Sequence, residues 1–270
     1  YTTGTGVSPV ASDATAGGKR RMAKLPAGRL ARHAYLDTLA NARGLVRVGG
    51  PWLLLAWALL LLARSGPAIF EAAANLAITL GVAAIAVAWH RHSLLGEPLT
   101  SRMAPVDIRV ARYFMLTVLL AIALTVLPLL ALMLLGGGAL FGSGEEAAAG
   151  PETGVALLLV PLLVLACLYA ALRVQLVFPA TAVEDAGMGF AQSWAQTSGN
   201  GWRLFGGFLL VSLPAAAATI GLALLLGRLA EATGSVVLTA LADLAALANP
   251  WVQAPLIASF LSYSYLWFQQ

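Results

Sequence analysis

Six near-continuous apolar stretches of about twenty residues dominate this chain. A helix needs that length to cross the roughly 30 Å apolar core of a bilayer. They run from about Val46 to Ala63, Ala68 to Trp89, Tyr113 to Leu135, Val155 to Phe178 and Leu204 to Leu226, with a sixth inside Val236 to Phe268. Runs such as LLLAWALLLLA and LLLVPLLVLA do not alternate with period two, so they are not barrel strands. A helix satisfies its own backbone hydrogen bonds in lipid, which an isolated strand cannot do. The expected fold is therefore all-α, a polytopic bundle of six transmembrane helices with short interfacial helices at one end. The last stretch is too long for one upright span, and Pro250 and Pro255 lie in its second half. Proline removes a backbone donor and clashes with the preceding turn. Either one kinked helix or a break near Asn249-Pro250 fits.

Composition agrees. The chain is 60% hydrophobic and 10% charged, with a mean hydropathy of +0.84, whereas a soluble domain is about a quarter charged. A cytosolic enzyme, a disulfide-stapled secreted domain and a disordered regulator are excluded. The single cysteine, Cys167, sits in an apolar run and has no partner for an internal disulfide.

Charge predicts the orientation. Of the 16 lysines and arginines, 14 fall before span one, between spans two and three, or between spans four and five. The opposite side receives only Arg64 and Arg228, plus a loop with three glutamates (GGGALFGSGEEAAAGPETG). Cationic loops stay in the cytoplasm, so both termini are expected there, in a bacterial inner membrane. Trp89, Tyr113, Trp202 and Trp267 fall at the same span ends, as an interfacial aromatic belt would.

Three regions are expected. Residues 1–29 form a disordered, basic N-terminal tail. Its first 18 residues are small and polar and lack the apolar core of a signal peptide. Residues 30–45 form an interfacial amphipathic helix carrying Leu36, Leu39 and Ala40. Residues 46–270 form the six-helix domain. Lys19, Arg20, Arg21 and Lys24 are candidates for binding anionic phospholipid, at about 1 kcal/mol per cation near the surface. Nucleic acid is not expected, because no aromatic residue interleaves these cations.

The segment from Arg173 to Arg203 holds a candidate latch. Arg173 is expected to pair with Glu184 or Asp185. Pro179 ends span four, Asp185 caps a short helix from about Ala186, and Phe190, Trp194 and Thr197 share one face. Trp202 and Arg203 open the next span.

The same segment, RVQLVFPATAVEDAG followed by SWAQTSGNGWRLFGG, carries Arg173, Pro179, Glu184, Ser193-Trp194 and Trp202-Arg203-Leu204. This order resembles a pattern in uncharacterised bacterial six-span inner-membrane proteins. These in turn resemble the membrane domain attached to some glycerophosphodiester phosphodiesterases. AWHRHSLLGEP looks like a second shared segment. The best-matching part covers about forty residues. The resemblance implies six helices and an inner-membrane location. It implies no activity, and it supplies no catalytic residue to carry over.

Chemistry is sparse. His90 and His92 with Glu97 could suggest a metal, but residues two apart on a helix diverge by about 200°. No G-x-S-x-G, phosphate loop or H-E-x-x-H occurs. Neither a catalytic residue nor a cofactor is expected, and the chain is read as not an enzyme. Asp243 is the one carboxylate well inside an apolar run, with Glu71 and Asn75 near the same membrane face. Because intramembrane charge is costly, these three are the candidates for an ion path, with a structural pair to Arg64 or Arg228 as the alternative. No convincing repeat relates spans one to three with four to six. Small residues recur every four positions: Ala73, Ala77 and Gly81, then Ala217 and Gly221, with similar pairs at Ala166 and Ala170 and at Ala242 and Ala246. Such spacing lets helices approach closely, within the bundle or against a membrane-protein partner or second copy. The expected function is an accessory, scaffold or assembly subunit, or a homo-oligomer. A small transporter or channel using Asp243 is the alternative, and a phospholipid-binding protein is a third reading.

Overall fold

The computed structural model describes residues 24–64, 66–100, 103–141 and 151–270. The basic residues Lys19, Arg20 and Arg21, the first 18 residues and residues 142–150 of the acidic loop lie outside the described residues. What is described is all-α: α1 (Ala27–Ala40), α2 (Ala42–Ala63), α3 (Ile69–Leu95), α4 (Ile108–Phe141), α5 (Pro151–Val174), α6 (Val177–Ala182), α7 (Phe190–Gln196), α8 (Gly201–Thr233) and α9 (Val236–Phe268). Among the described residues, six segments are long and apolar enough to cross a membrane. The fourth of these, Pro161–Ala182, runs from the second half of α5 through α6. The protein is a multi-pass membrane protein. We call its two ends basic and acidic, after the loops they carry.

The core is built around α3 and α9. Half of the most apolar window of each is buried, against 11% in α4 and α8. Helix α2 packs along α3, and α8 packs along α9. Small residues allow the closest approaches. A methyl group on Gly81 of α3 would run into the Trp251 ring of α9 and stand 3.0 Å from Cβ of Trp52 on α2. A methyl on Gly207 of α8 would stand 2.5 Å from the Phe260 ring.

Helix α9 is continuous, so the chain does not break near Pro250. Both prolines lie inside it, which leaves the carbonyls of Ala246 and Trp251 without their usual helical donors. The stretch around the prolines is tied to α8 instead. Thr219 Oγ1 donates to Asn249 Oδ1 at 2.8 Å, and Gln253 Nε2 donates to the Ser212 carbonyl at 3.0 Å. Between α8 and α9 the chain reverses at Gly234, whose φ of 65° suits glycine. Ser235 then caps α9, its hydroxyl accepting from Leu238 N.

Pro179 does not end span four. Helix α5 ends earlier, at Val174, and Pro179 is the third residue of α6, where a missing N–H costs little. Helix α6 ends in a Schellman motif. Asp185 N donates to the Ala180 carbonyl at 2.9 Å and Glu184 N to the Thr181 carbonyl at 3.3 Å, with Glu184 at a left-handed φ of 61°. Asp185 therefore caps no following helix. Its Oδ1 accepts from Gly187 N, and α7 starts after Gly189, whose N–H donates to Gln192 Oε1.

Helix α1 does more than lie along a surface. Ala31, Ala34 and Thr38 are buried, while Leu36 and Leu39 are exposed. The buried side crosses the α8–α9 pair. Leu25 N donates to Asn200 Oδ1, and the Tyr35 hydroxyl donates to the Val211 carbonyl at 2.7 Å. Burial raises the Tyr35 phenol above its ordinary value.

Candidate functional site

At the acidic end, α2, α3 and α9 bring three charged residues into one cleft of about 440 Å³. Arg64, one residue past α2, forms an ion pair with Asp243, two turns into α9, and Glu71 lines the same cleft. Asn75 is exposed and stands outside it. The Arg64 and Asp243 side chains remain 51% and 37% accessible. Arg228, the other basic candidate, pairs locally with Glu231. The arrangement clasps α2 to α9 near the bundle's end. Exposed ion pairs contribute about 0–1 kcal/mol, so Asp243→Asn is expected to change stability by under about 1 kcal/mol. Thermal unfolding in detergent, followed by tryptophan fluorescence, measures this. A loss of several kcal/mol would mean that the pair is buried and structural.

At the basic end the expected latch is partnered differently. Arg173 does not meet Glu184 or Asp185, because α6 carries the chain away between them. Its guanidinium lies 3.8 Å from the centre of the Trp194 ring, and it donates to the Trp194 carbonyl and to Thr197 Oγ1. Ser193 Oγ returns a bond to the Arg173 carbonyl at 2.8 Å. These contacts fasten α7 to the end of α5 through a cation–π contact and hydrogen bonds. Glu184 faces Arg109 across 3.3 Å, and Asp185 accepts from the Tyr265 hydroxyl of α9. Trp202 packs on Tyr169, with ring centres 4.6 Å apart, and Arg203 donates to the Leu25 carbonyl. Lys24 is exposed.

The most developed polar cluster at this end was only partly legible in the sequence. Trp89 and Tyr113 do not stand in an aromatic belt, because both point inward. Trp89 Nε1 donates to Ser259 Oγ at 2.7 Å, and Ser259 donates to Asp37 Oδ2 at 2.6 Å. The chain Trp89–Ser259–Asp37 thus joins α3, α9 and α1. An internal acceptor replaces the interfacial water that a belt tryptophan would use. His90 is completely buried. Its Nδ1 lies 2.8 Å from Ser262 Oγ, and its Nε2 lies 3.4 Å from the Tyr113 hydroxyl. His92 turns the other way, with its Nδ1 2.7 Å from the Glu97 carbonyl oxygen. The two histidines therefore diverge, and among the described residues no His, Cys, Asp or Glu group has metal-binding geometry. The Glu97 carboxylate is hydrogen-bonded by Arg91, which holds its pKa below the usual range. Asp37, Ser259 and Ser262 were not singled out from sequence. The alternation of serine and tyrosine in SFLSYSYLWF was the available signal.

The small-residue pairs divide. Ala77 and Gly81 are buried and Ala73 is half-buried, so that stripe is used inside the bundle. Ala217 and Gly221 are exposed on the outer face of α8, and a methyl on Gly221 would meet nothing within 4 Å.

No protein-family model, curated protein or solved structure matches the chain, so the resemblance at Arg173 to Gly207 assigns it to no family.

Proposed function

We propose that this is a non-catalytic integral protein of a bacterial inner membrane. It works by lateral association, as an accessory, scaffold or assembly subunit of a membrane complex or as a homo-oligomer. The supporting observation is the outer face of α8, where Ala217 and Gly221 stay uncovered beside the exposed Leu213, Ile220 and Leu224. Small residues at this spacing let a second helix approach closely in lipid. The 14-to-2 split of basic residues supports a cytoplasmic basic end, where Lys24 and the preceding cations meet anionic phospholipid. Against transport through Asp243 stands its pairing with Arg64 at the acidic end.

Native mass spectrometry of the protein purified gently from its own membrane tests the proposal. Added protein mass, or a second copy, is expected in stoichiometric amount. Gly221→Leu is expected to reduce that species at least about tenfold, the effect of losing about 1.4 kcal/mol, without lowering stability. A monomer carrying only lipid in both proteins would overturn it.

A further inference from the structure

At the basic end a groove of about 640 Å³ lies between the outer face of α4 and α6. Ile108, Arg112, Met115 and Leu119 form one wall, three or four residues apart and so on one face of α4. Val177 and Thr181 of α6 stand in the other wall. Among the described residues, Arg112 is the one charged group that lines it. Polar and apolar groups are separated along the groove. Arg112 and Thr181 stand toward the basic end, while Met115, Leu119 and Val177 lie deeper. Helix α4 rises about 10 Å from Arg112 to Leu119, so the wall runs from the rim well into the apolar layer.

Arg112 is exposed, and among the described residues it makes no ion pair or hydrogen bond. The nearby carboxylates are already engaged. Arg91 holds Glu97, and Arg109 holds Asp107 and Glu184. Nor does Arg112 stand out in water. Val106 and Ile108 lie beyond it toward the basic end, and both are apolar and exposed. Exposed apolar side chains on the outer side of an arginine place it at the boundary of headgroups and acyl chains. A cation there is costly without an anion, and the described residues supply none. A lipid of the same leaflet does. Its phosphate lies at that boundary and its chains run inward, which is the polarity of the groove. A soluble anion would match Arg112 and leave the apolar wall bare. An uncharged lipid would match the wall and leave Arg112 unpaired.

We infer that this groove binds an anionic phospholipid of the phosphatidylglycerol class from the leaflet at the basic end. The Arg112 guanidinium pairs with the phosphate, and one acyl chain lies along Met115, Leu119 and Val177. Phosphatidylethanolamine carries an ammonium beside its phosphate, so its net-neutral head offsets the arginine less. The site is separate from Lys24 and the cations before it and from the outer face of α8. Its failure would leave the association proposed for α8 untouched.

The test uses the whole chain in vesicles of phosphatidylethanolamine. The probe is a small fraction of phosphatidylglycerol with a photoreactive diazirine in one chain. After irradiation and digestion, label is expected on peptides containing Met115 to Leu119 and Val177 to Thr181. Arg112→Gln is expected to cut that label about fivefold, the effect of one cation near a membrane surface. Its unfolding temperature is expected to stay at the wild-type value, because Arg112 has no protein partner to lose. Arg112→Lys keeps the charge and is expected to retain at least about half of the label. The changes Lys19→Gln, Arg20→Gln, Arg21→Gln and Lys24→Gln, made together, are expected to leave the groove label unchanged. A phosphatidylethanolamine probe with the same diazirine chain is expected to label the groove about fivefold less. Equal labelling by the two probes, or label unaffected by Arg112→Gln, would mean ordinary boundary lipid and would overturn the inference. Label confined to other helices would mean that a partner helix covers the groove, and would overturn it equally.

Discussion

Gly81→Leu is expected to unfold the bundle or destabilise it by about 3 kcal/mol or more. A Cβ at this position already clashes with the Trp251 ring before any further leucine atom is placed. The surroundings cannot yield cheaply, because Trp52 and Trp251 are themselves buried in the central cluster. Overpacking a dense core costs about 1–3 kcal/mol and sometimes more. Here two large rings on two helices would have to move together. The measurement is thermal unfolding in detergent followed by tryptophan fluorescence, since Trp52 and Trp251 report directly on the contact. Gly221→Leu is the control, with the same change at a site where nothing lies within 4 Å. Its unfolding temperature is expected to stay at the wild-type value. Equal unfolding temperatures for Gly81→Leu and wild type would show that α3 and α9 are not packed as described.

The second large effect is expected at Ser259. Ser259→Ala removes an acceptor from the buried Trp89 Nε1 and a donor from Asp37. An unsatisfied buried donor costs about 1–3 kcal/mol, and a hydrogen bond to a charged group is worth about 1.5–3 kcal/mol. Asp37 keeps Asn41 at 3.0 Å and a long contact to Ser93 at 3.4 Å, so part of the second loss is recovered. A net loss of about 2–3 kcal/mol is expected. Because Asp37 belongs to α1, the loss should also free that helix, and protease cleavage within Ala27–Ala40 should accelerate at least about tenfold. Adding Trp89→Phe removes the orphaned donor. The double variant should then be more stable than the sum of the single changes by over about 0.5 kcal/mol. Strict additivity would show that Trp89 and Asp37 are not linked through the serine.

Six spans were legible because length and continuous apolarity are the whole requirement for crossing a bilayer. The rotation of each span was not. In water an amphipathic helix shows its buried side by its pattern, but here lipid and core both accept apolar residues. Ala77, Gly81, Ala217 and Gly221 therefore look alike in sequence, although the first two are covered and the last two are not. Trp89 and Tyr113 misled for the same reason. An aromatic ring with a polar tip suits an interface, but it suits a core equally when a partner such as Ser259 waits inside.

The candidate polar sites divide along the same line. Asp243 was legible, because a carboxylate in an apolar run stands out by its cost. Its neutralisation by one of two arginines followed from depth, and only packing selected Arg64 over Arg228. The Arg173 pairing failed because it depended on where α5 stopped. Pro179 marked an ending in the sequence, but a proline is also well tolerated in the first turn of a new helix. The turn before α6 then sent Glu184 to Arg109 and Asp185 to Tyr265.

By itself the sequence determined the environment of this protein, the number of its spans and the contrast between its ends. These follow from local sums of hydropathy and charge, which need no neighbour. Tertiary structure decided which face of each helix is covered, that α9 runs unbroken through two prolines, and that Asp37, Trp89 and Ser259 share one chain of hydrogen bonds. These depend on pairing between residues up to 222 positions apart, and in a chain that is apolar on every side only the packing itself selects the partners.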